Sequence, residues 1–422
     1  MNVRVLWIVN IVFPFPSRML EMPNTVFGGW LLSLMKELKD RKEISKIAVA
    51  TVYNGKDLKV YNDGNIIYYM LPCKNKEKYD KKLELYWKQV LNLFEPDIVH
   101  IHGTEYPHSL AFLNINSNVK SCVSVQGLVS ECGKKEFYNA RIKTIDLLTN
   151  VTLRDIIKND ILIFQHYKFL KRGKFEISIL KKSNFVIGRT SWDRAHVYRI
   201  TLKNNYTCCN ESLRQEFYNK KWDIKNIERH SIFVSQASYP LKGFHTVIYA
   251  ASILATQYSD LKIYVAGNDV IKQTSSKMEK IKISGYGKYI KKLIKKYHLT
   301  ENIKFLGLLD AEAISKQLLK ANVYLQASFM ENSSNSLGEA MLVGVPCVAS
   351  YVGGTSDMLL DKTDGLLYPV GDYSMIAKYV SDIFDDDNLA VSLGQNAKKH
   401  AHVTHSLSTN ANKMIDIYKN MI

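Results

Sequence analysis

Long apolar runs are missing from this sequence of 422 residues. The longest, Val5 to Phe15, is broken by Asn10 and Pro14 and stays well short of the ~20 residues that a membrane-spanning helix requires, so no segment is expected to cross a bilayer. The same break, with no small-residue cleavage site after it, argues against a signal peptide and for a first buried strand. Metal-type spacing is missing as well. The six cysteines, at 73, 122, 132, 208, 209 and 347, form no C-x-x-C pair and have no paired histidine spacing beside them, which leaves no zinc module and fits a reducing cytoplasm. Negative charge is in deficit: 40 Asp and Glu face 57 Lys and Arg, a net of +17. Such an excess suits nucleic acid, an anionic membrane surface or a phosphate-bearing substrate, and composition does not choose among them. With 46% apolar and 23% charged residues the chain is globular, not disordered or collagen-like.

What is present is a rhythm. A chain this long exceeds one ordinary core, so two domains are expected. Short β-branched runs at Val3 to Val9, Ile47 to Val52, Ile66 to Met70, Asp97 to Ile101, Cys122 to Val125 and Phe185 to Ile187 alternate with helix-length segments. Strands that are apolar throughout belong to parallel sheets covered on both faces. The rhythm stops in the polar stretch Asn219 to His230 and restarts at Ser231 to Ser235, Leu261 to Ala266, Ile303 to Leu306, Asn322 to Gln326, Val345 to Ser350 and Leu366 to Tyr368. The expectation is an α/β chain of two Rossmann-like, doubly wound domains, 1–215 and 216–405. Helices at about 142–182 are expected to be added to the first domain, and a terminal helix, 406–422, to pack back on it. Ligands of such sheets sit outside the carboxyl ends of the strands, which predicts a cleft between the halves.

The most specific string is SFMENSSNSLGEAMLVGVPCVASYVGG, Ser328 to Gly354. A strand leads into a polar loop, a helix opens near Ser336, and Pro346 precedes the next strand. Backbone N–H groups at such a helix start suit a phosphate. Glu331 and Glu339 stand eight positions apart, and carboxylates suit the paired hydroxyls of sugars. Glu339 has a second reading: Ser336-x-x-Glu339 is a capping box, in which the glutamate serves only its own helix.

This string resembles the signature of retaining glycosyltransferases of the family-four type, which adopt the GT-B fold of two facing Rossmann-like domains. Glu331, Glu339, Pro346, Gly353 and Gly354 match it. Gly28 and Gly29 after the first strand, DIVHIHG at 97–103, PLKGF at 240–244 and DGLLYPVGD at 364–372 extend the match. The resemblance implies that Glu339 binds the ribose of a nucleotide and Glu331 the donor sugar. Backbone at Ser336 and Leu337 would receive the distal phosphate, and Lys242 would neutralise the leaving diphosphate, with side chains in place of a metal and no cofactor beyond the nucleotide-sugar substrate. An Arg usual six residues before the lysine is replaced by Gln236, so a second cation would be Arg189 or Arg214. His102, ending the strand Asp97 to Ile101, would lie near donor and acceptor, where the alternative is a hydrogen-bonded structural histidine. The next strand ends in Gln126 where the family often has His. Gly28 and Gly29 admit a diphosphate or make a tight turn.

The function expected is transfer of a sugar from a nucleotide-sugar to a carbohydrate or lipid-linked glycan, in cell-surface polysaccharide synthesis. The alternatives are a nucleotide-sugar epimerase of the same fold, a basic nucleic-acid-binding protein and a partner-binding pseudoenzyme. No RNA- or DNA-binding motif appears, which counts against nucleic acid. The basic stretch Tyr286 to His298 reads as an amphipathic helix with a solvated lysine face. KFLKRGKF at 168–175 mixes cations and aromatics and is expected to touch an anionic membrane peripherally, at the inner face of the cell membrane.

Overall fold

The computed structural model describes residues 2–23, 28–271 and 282–422. Two compact units divide it. One holds residues 1–131, 169–214 and 405–422; the other holds 132–168 and 215–404.

The first unit is built on an eight-stranded sheet of β1 (Val3–Val9), β2 (Ile44–Tyr53), β3 (Lys59–Asp63), β4 (Ile66–Pro72), β5 (Ile98–His102), β6 (Lys120–Ser124), β7 (Phe185–Gly188) and β8 (Tyr206–Cys208), in the order β3-β4-β2-β1-β5-β6-β7-β8. Every pairing is parallel except β3 with β4. Alternate residues of β1 feed opposite cores. Leu6 and Ile8 join Trp87, Phe94 and Val123 on one face. Val5, Trp7 and Val9 join Leu34, Leu38 and the terminal helix on the other. That helix, Leu407–Met421, buries Met414, Ile415 and Tyr418.

The second unit carries a parallel sheet of β9 (Ser231–Val234), β10 (Lys262–Ala266), β11 (Ile303–Gly307), β12 (Val323–Gln326), β13 (Cys347–Tyr351) and β14 (Leu366–Pro369), in the order β11-β10-β9-β12-β13-β14. Ile232, Phe233, Val265, Val323, Leu325 and Val348 are buried, as strands covered on both faces require. Residues 132–168, read from sequence as part of the first domain 1–215 with its insert at about 142–182, instead cluster with this unit. The cause is tertiary pairing. Arg141 Nη1 donates to the Val370 carbonyl (2.9 Å), His245 Nε2 meets the Ala140 carbonyl (3.0 Å), and the Gly285 N–H donates to Asp155 (2.8 Å). Among the described residues no helix is long and apolar enough to cross a membrane.

A buried relay ties the terminal helix to the first sheet. Trp7 Nε1 donates to the Tyr418 hydroxyl (3.1 Å), which is hydrogen-bonded to His100 Nδ1 (2.6 Å), while His100 Nε2 is hydrogen-bonded to Ser124 Oγ (2.7 Å). Burial lowers the His100 pKa to about 3, so the ring is neutral, with one nitrogen donating and the other accepting. Removing the hydroxyl leaves Trp7 Nε1 and His100 Nδ1, both buried, without that partner, and Tyr418→Phe is expected to destabilise the first unit by about 1–3 kcal/mol. Denaturant titration followed by a probe of the first unit checks this; an unchanged midpoint would contradict it.

Candidate functional site

The second unit gathers its motifs around the loop that follows β12. PLKGF forms a single turn of 3-10 helix, Pro240–Lys242, and Gly243 then takes a left-handed conformation (φ 70°) to start the helix Phe244–Gln257. A Cβ at Gly243 would overlap the Ala327 carbonyl oxygen, and one at Gly353 (φ 51°) would overlap that of Glu331. Backbone bonds complete the hold: Phe329 N–H donates to the Leu241 carbonyl (2.7 Å) and Gly354 N–H to the Glu331 carbonyl (3.2 Å). Ser350 Oγ donates to the Ser328 carbonyl (2.6 Å) from β13. The loop is therefore seated between two turns that only glycine allows to approach so closely.

That seating aims Glu331 at Lys242. Lys242 Nζ donates to Glu331 Oε1 at 2.5 Å, and Ser328 Oγ donates to the same oxygen at 2.7 Å. The side chains are 20% and 15% exposed, so the pair is largely withdrawn from water while an edge stays reachable. Burial works against the lysine's charge, but the Glu331 carboxylate outweighs it and the Lys242 pKa is raised. A fixed ammonium at the carboxyl end of a parallel sheet can meet an anionic ligand without ordering a flexible side chain first.

The helix Asn335–Val343 starts earlier than the sequence suggests. Ser334, not Ser336, is its cap, with Oγ accepting from the Leu337 N–H at 3.4 Å, while Gly338 N–H donates to the Ser334 carbonyl at 3.0 Å. Ser336 lies inside the first turn, so the expected Ser336–Glu339 capping box does not form. Glu339 is buried at 5% exposure on that helix. Gln236 is half-buried in the loop after β9; a Cβ on Gly267, beyond β10, would lie 3.8 Å from its Cγ.

The remaining expected residues lie in the first unit. His102 closes β5, buried at 2% exposure, with its ring 3.7 Å from that of His100 and 4.4 Å from that of Trp7. Burial first, and His100 second, hold its pKa well below the usual value. Among the described residues neither ring nitrogen has a partner. They line a cavity of about 20 Å³ with Trp30, Ser124, Arg189, Glu211 and Ser212, a space that fits one water. Arg189 is not the spare cation expected: it is ion-paired with Glu211, and Nη2 donates to the Val125 (3.2 Å) and Gln126 (2.8 Å) carbonyls. Its charge is neutralised inside the first unit. Gln126 also binds Glu211, at 2.6 Å. Gly28 caps the helix Gly29–Leu38, and the stem of Arg214 lies where a Cβ on Gly29 would be. His108 Nε2 meets the Val9 carbonyl at 3.2 Å, a structural bond.

Sequence reasoning missed Glu105. Its carboxyl accepts from Asn10 Nδ2 just past the ends of β1 and β5, where the strand order reverses and open α/β sheets place ligands. Burial raises its pKa to about 7. A glutamate three positions beyond a strand end was the available signal. Among the described residues no three His, Cys, Asp or Glu side chains stand together as a metal site.

Residues 214–400 match the family model described as glycosyl transferases group 1. The chain is 24% identical over 209 residues to the putative glycosyltransferase YtcC of Bacillus subtilis (strain 168), covering 49% of this chain and 48% of that protein. It is 29% identical over 113 residues to N-acetyl-alpha-D-glucosaminyl L-malate synthase of Bacillus anthracis, covering 27% and 29%. The matched region thus spans about half or less of these relatives' length. In structure the chain is similar to sucrose-phosphate synthase from Thermosynechococcus elongatus, with a TM-score of 0.70 at 15% identity over 100% and 99% of the two chains. It is similar also to HepE of Anabaena, solved with UDP-glucose, with a TM-score of 0.68 at 13% identity over 100% of both. The fold is GT-B, with two Rossmann-like domains.

The seating of the loop gives a direct test. Gly353→Ala is expected to push the Glu331 backbone away and force a strained φ, destabilising the second unit by about 1–3 kcal/mol. A melting temperature equal to that of the parent would show that the loop has room to spare.

Proposed function

We propose, from the match of residues 214–400 to the glycosyl transferases group 1 model, that the protein moves a sugar from a nucleotide-sugar donor to a carbohydrate or lipid-linked glycan acceptor in cell-surface polysaccharide synthesis. The observation that carries this reading is the ion pair of Lys242 and Glu331 at the carboxyl ends of β9 and β12. In the reaction the bond between the anomeric carbon and the diphosphate oxygen breaks, and its electron pair leaves with the nucleotide. The acceptor hydroxyl oxygen forms the new bond and gives up its proton to the departing diphosphate oxygen. Negative charge therefore grows on the diphosphate, and Lys242 is the cation that meets it, worth most where water is excluded. Glu331 orients that cation and sits beside the transferred sugar. Glu339 accepts from the ribose hydroxyls, and the start of the helix Asn335–Val343 receives phosphate. His102 and Glu105 are the first unit's candidates for contact with donor and acceptor hydroxyls. Retention of anomeric configuration is part of the same reading. The net charge of +17 supports a working place against an anionic membrane surface.

The two glutamates separate in kinetics. Glu339→Gln removes a charged acceptor, and donor affinity is expected to fall by roughly 1.5–3 kcal/mol. Glu331→Gln is expected to lower turnover more than donor binding, because it acts on charge and geometry that develop during transfer. A stable Glu331→Gln protein with full turnover would remove that residue from the site.

Transfer is expected to proceed without a divalent ion, because Lys242 and a helix start can hold the leaving diphosphate. Assays in excess chelator test this. Activity that is lost there and restored by magnesium or manganese would overturn it.

A further inference from the structure

Two helices of the second unit and the start of a third turn apolar side chains outward. On Thr144–Thr149, Ile145 and Leu148 are exposed while Leu147 is buried. On Leu153–Ile157, Leu153, Ile156 and Ile157 are 65%, 59% and 75% exposed, and the residue turned inward is Asp155. At the start of Leu162–Lys182, Phe164 and Tyr167 are exposed while Leu162 is buried. Spacings of three and four put each set on one side of its helix. Seven of the 21 exposed large apolar residues among those described fall within these 23 positions. Scattered exposure is ordinary; such concentration marks an interaction surface.

The orientation is fixed from beneath. The carboxylate of Asp155 accepts from the Gly285 N–H (2.8 Å) and the Thr152 N–H (3.1 Å) and pairs with Arg154 (3.0 Å). With the carboxylate anchored inward, Leu153, Ile156 and Ile157 stay in water. Thr152 Oγ1 donates to the Ile283 carbonyl (3.1 Å) and Lys288 Nζ to the Thr149 carbonyl (3.3 Å), which ties the segment to the lysine-rich helix Gly285–Lys296.

The surroundings are cationic. Residues 141–168 and 285–296 together hold ten Lys and Arg against three Asp and no Glu, and Asp155 and Asp160 are both paired with Arg154. Beside the helices lies a cavity of about 410 Å³, lined by Arg141, Lys143, Lys292, Lys296 and Tyr289 among others.

We propose that this face of the second unit docks on an anionic bilayer, its Leu, Ile and Phe side chains entering the interface and its cations meeting lipid phosphates, with the cavity as a seat for one headgroup. The proposal rests on the membrane reading above and moves its location. In KFLKRGKF the aromatics are turned inward: Phe169 lies under the Arg172 guanidinium (4.4 Å) and Phe175 packs on the first unit's core. A bilayer conforms to separate helical segments, and the surrounding cations supply its attraction. A protein partner would need a surface shaped to all three.

The experiment uses the full chain with vesicles of phosphatidylcholine alone or with 30% phosphatidylglycerol, read by co-sedimentation. The parent is expected to bind the anionic vesicles and to release them as salt rises. Ile156→Asp with Ile157→Asp, both exposed, is expected to keep the melting temperature and lower vesicle partitioning at least tenfold. Lys292→Glu with Lys296→Glu is expected to remove most of the salt-sensitive part, and Lys171→Glu with Lys174→Glu to change little. If the parent binds but the isoleucine variant binds equally, this surface is wrong and the membrane reading stands. If the parent ignores anionic vesicles, or binds neutral ones as well, both fall and the apolar face is left to a protein partner. Sugar transfer to a water-soluble acceptor, measured alongside, separates either failure from failure of the enzymatic reading.

Discussion

The second unit's chemistry depends on a constraint of space: the loop after β12 runs between two turns that come closer than any side chain permits. At Gly243 the obstacle is the Ala327 carbonyl and at Gly353 the Glu331 carbonyl. Each contact is with backbone, which cannot rotate aside as a side chain does. The positions of Lys242 and Glu331 follow, since one precedes the first glycine and the other is the residue that the second glycine touches. Protein interiors respond to small changes of volume at such contacts, so the aim of an ammonium is set here by an absent methyl group.

Charge is distributed unevenly over the two units' sites. Lys242 keeps its proton because Glu331 outweighs the cost of burial, yet the pair retains an exposed edge. Arg189 is closed off by Glu211 and two carbonyls. A cation held by a buried carboxylate and two carbonyls stabilises a fold; one held from one side can be shared with a ligand. The sequence presents both as basic residues near strand ends, and only their partners tell them apart.

Where burial writes the pattern, the sequence can be read. β1, β5, β9 and β12 are covered on both faces and appear as continuous apolar runs. β3 and β8 were not legible, because as edge strands they expose most of their side chains (KVYND and YTC) and carry no alternation. The grouping of residues 132–168 was hidden for another reason: its partners, His245, Gly285 and Val370, lie over a hundred positions away. At the candidate site the glutamates and the lysine were legible through the resemblance, whereas their geometry was not. The cap is Ser334 where the sequence suggests Ser336, because capping turns on backbone angles that composition does not encode.

The relay from Trp7 through Tyr418 to His100 has a consequence for biosynthesis. The first unit takes in residues 405–422, so its core lacks a helix and His100 lacks one of its two hydrogen-bond partners until those residues have been translated. The second unit closes with residue 404. Domains commonly mature in the order in which they emerge; here the half begun first must be completed last. Until then its unfinished face around Trp7, Leu34 and Leu38 is open to chaperones and to aggregation, and loss of residues 405–422 would harm the unit that holds the first strand more than the one that holds residues 215–404.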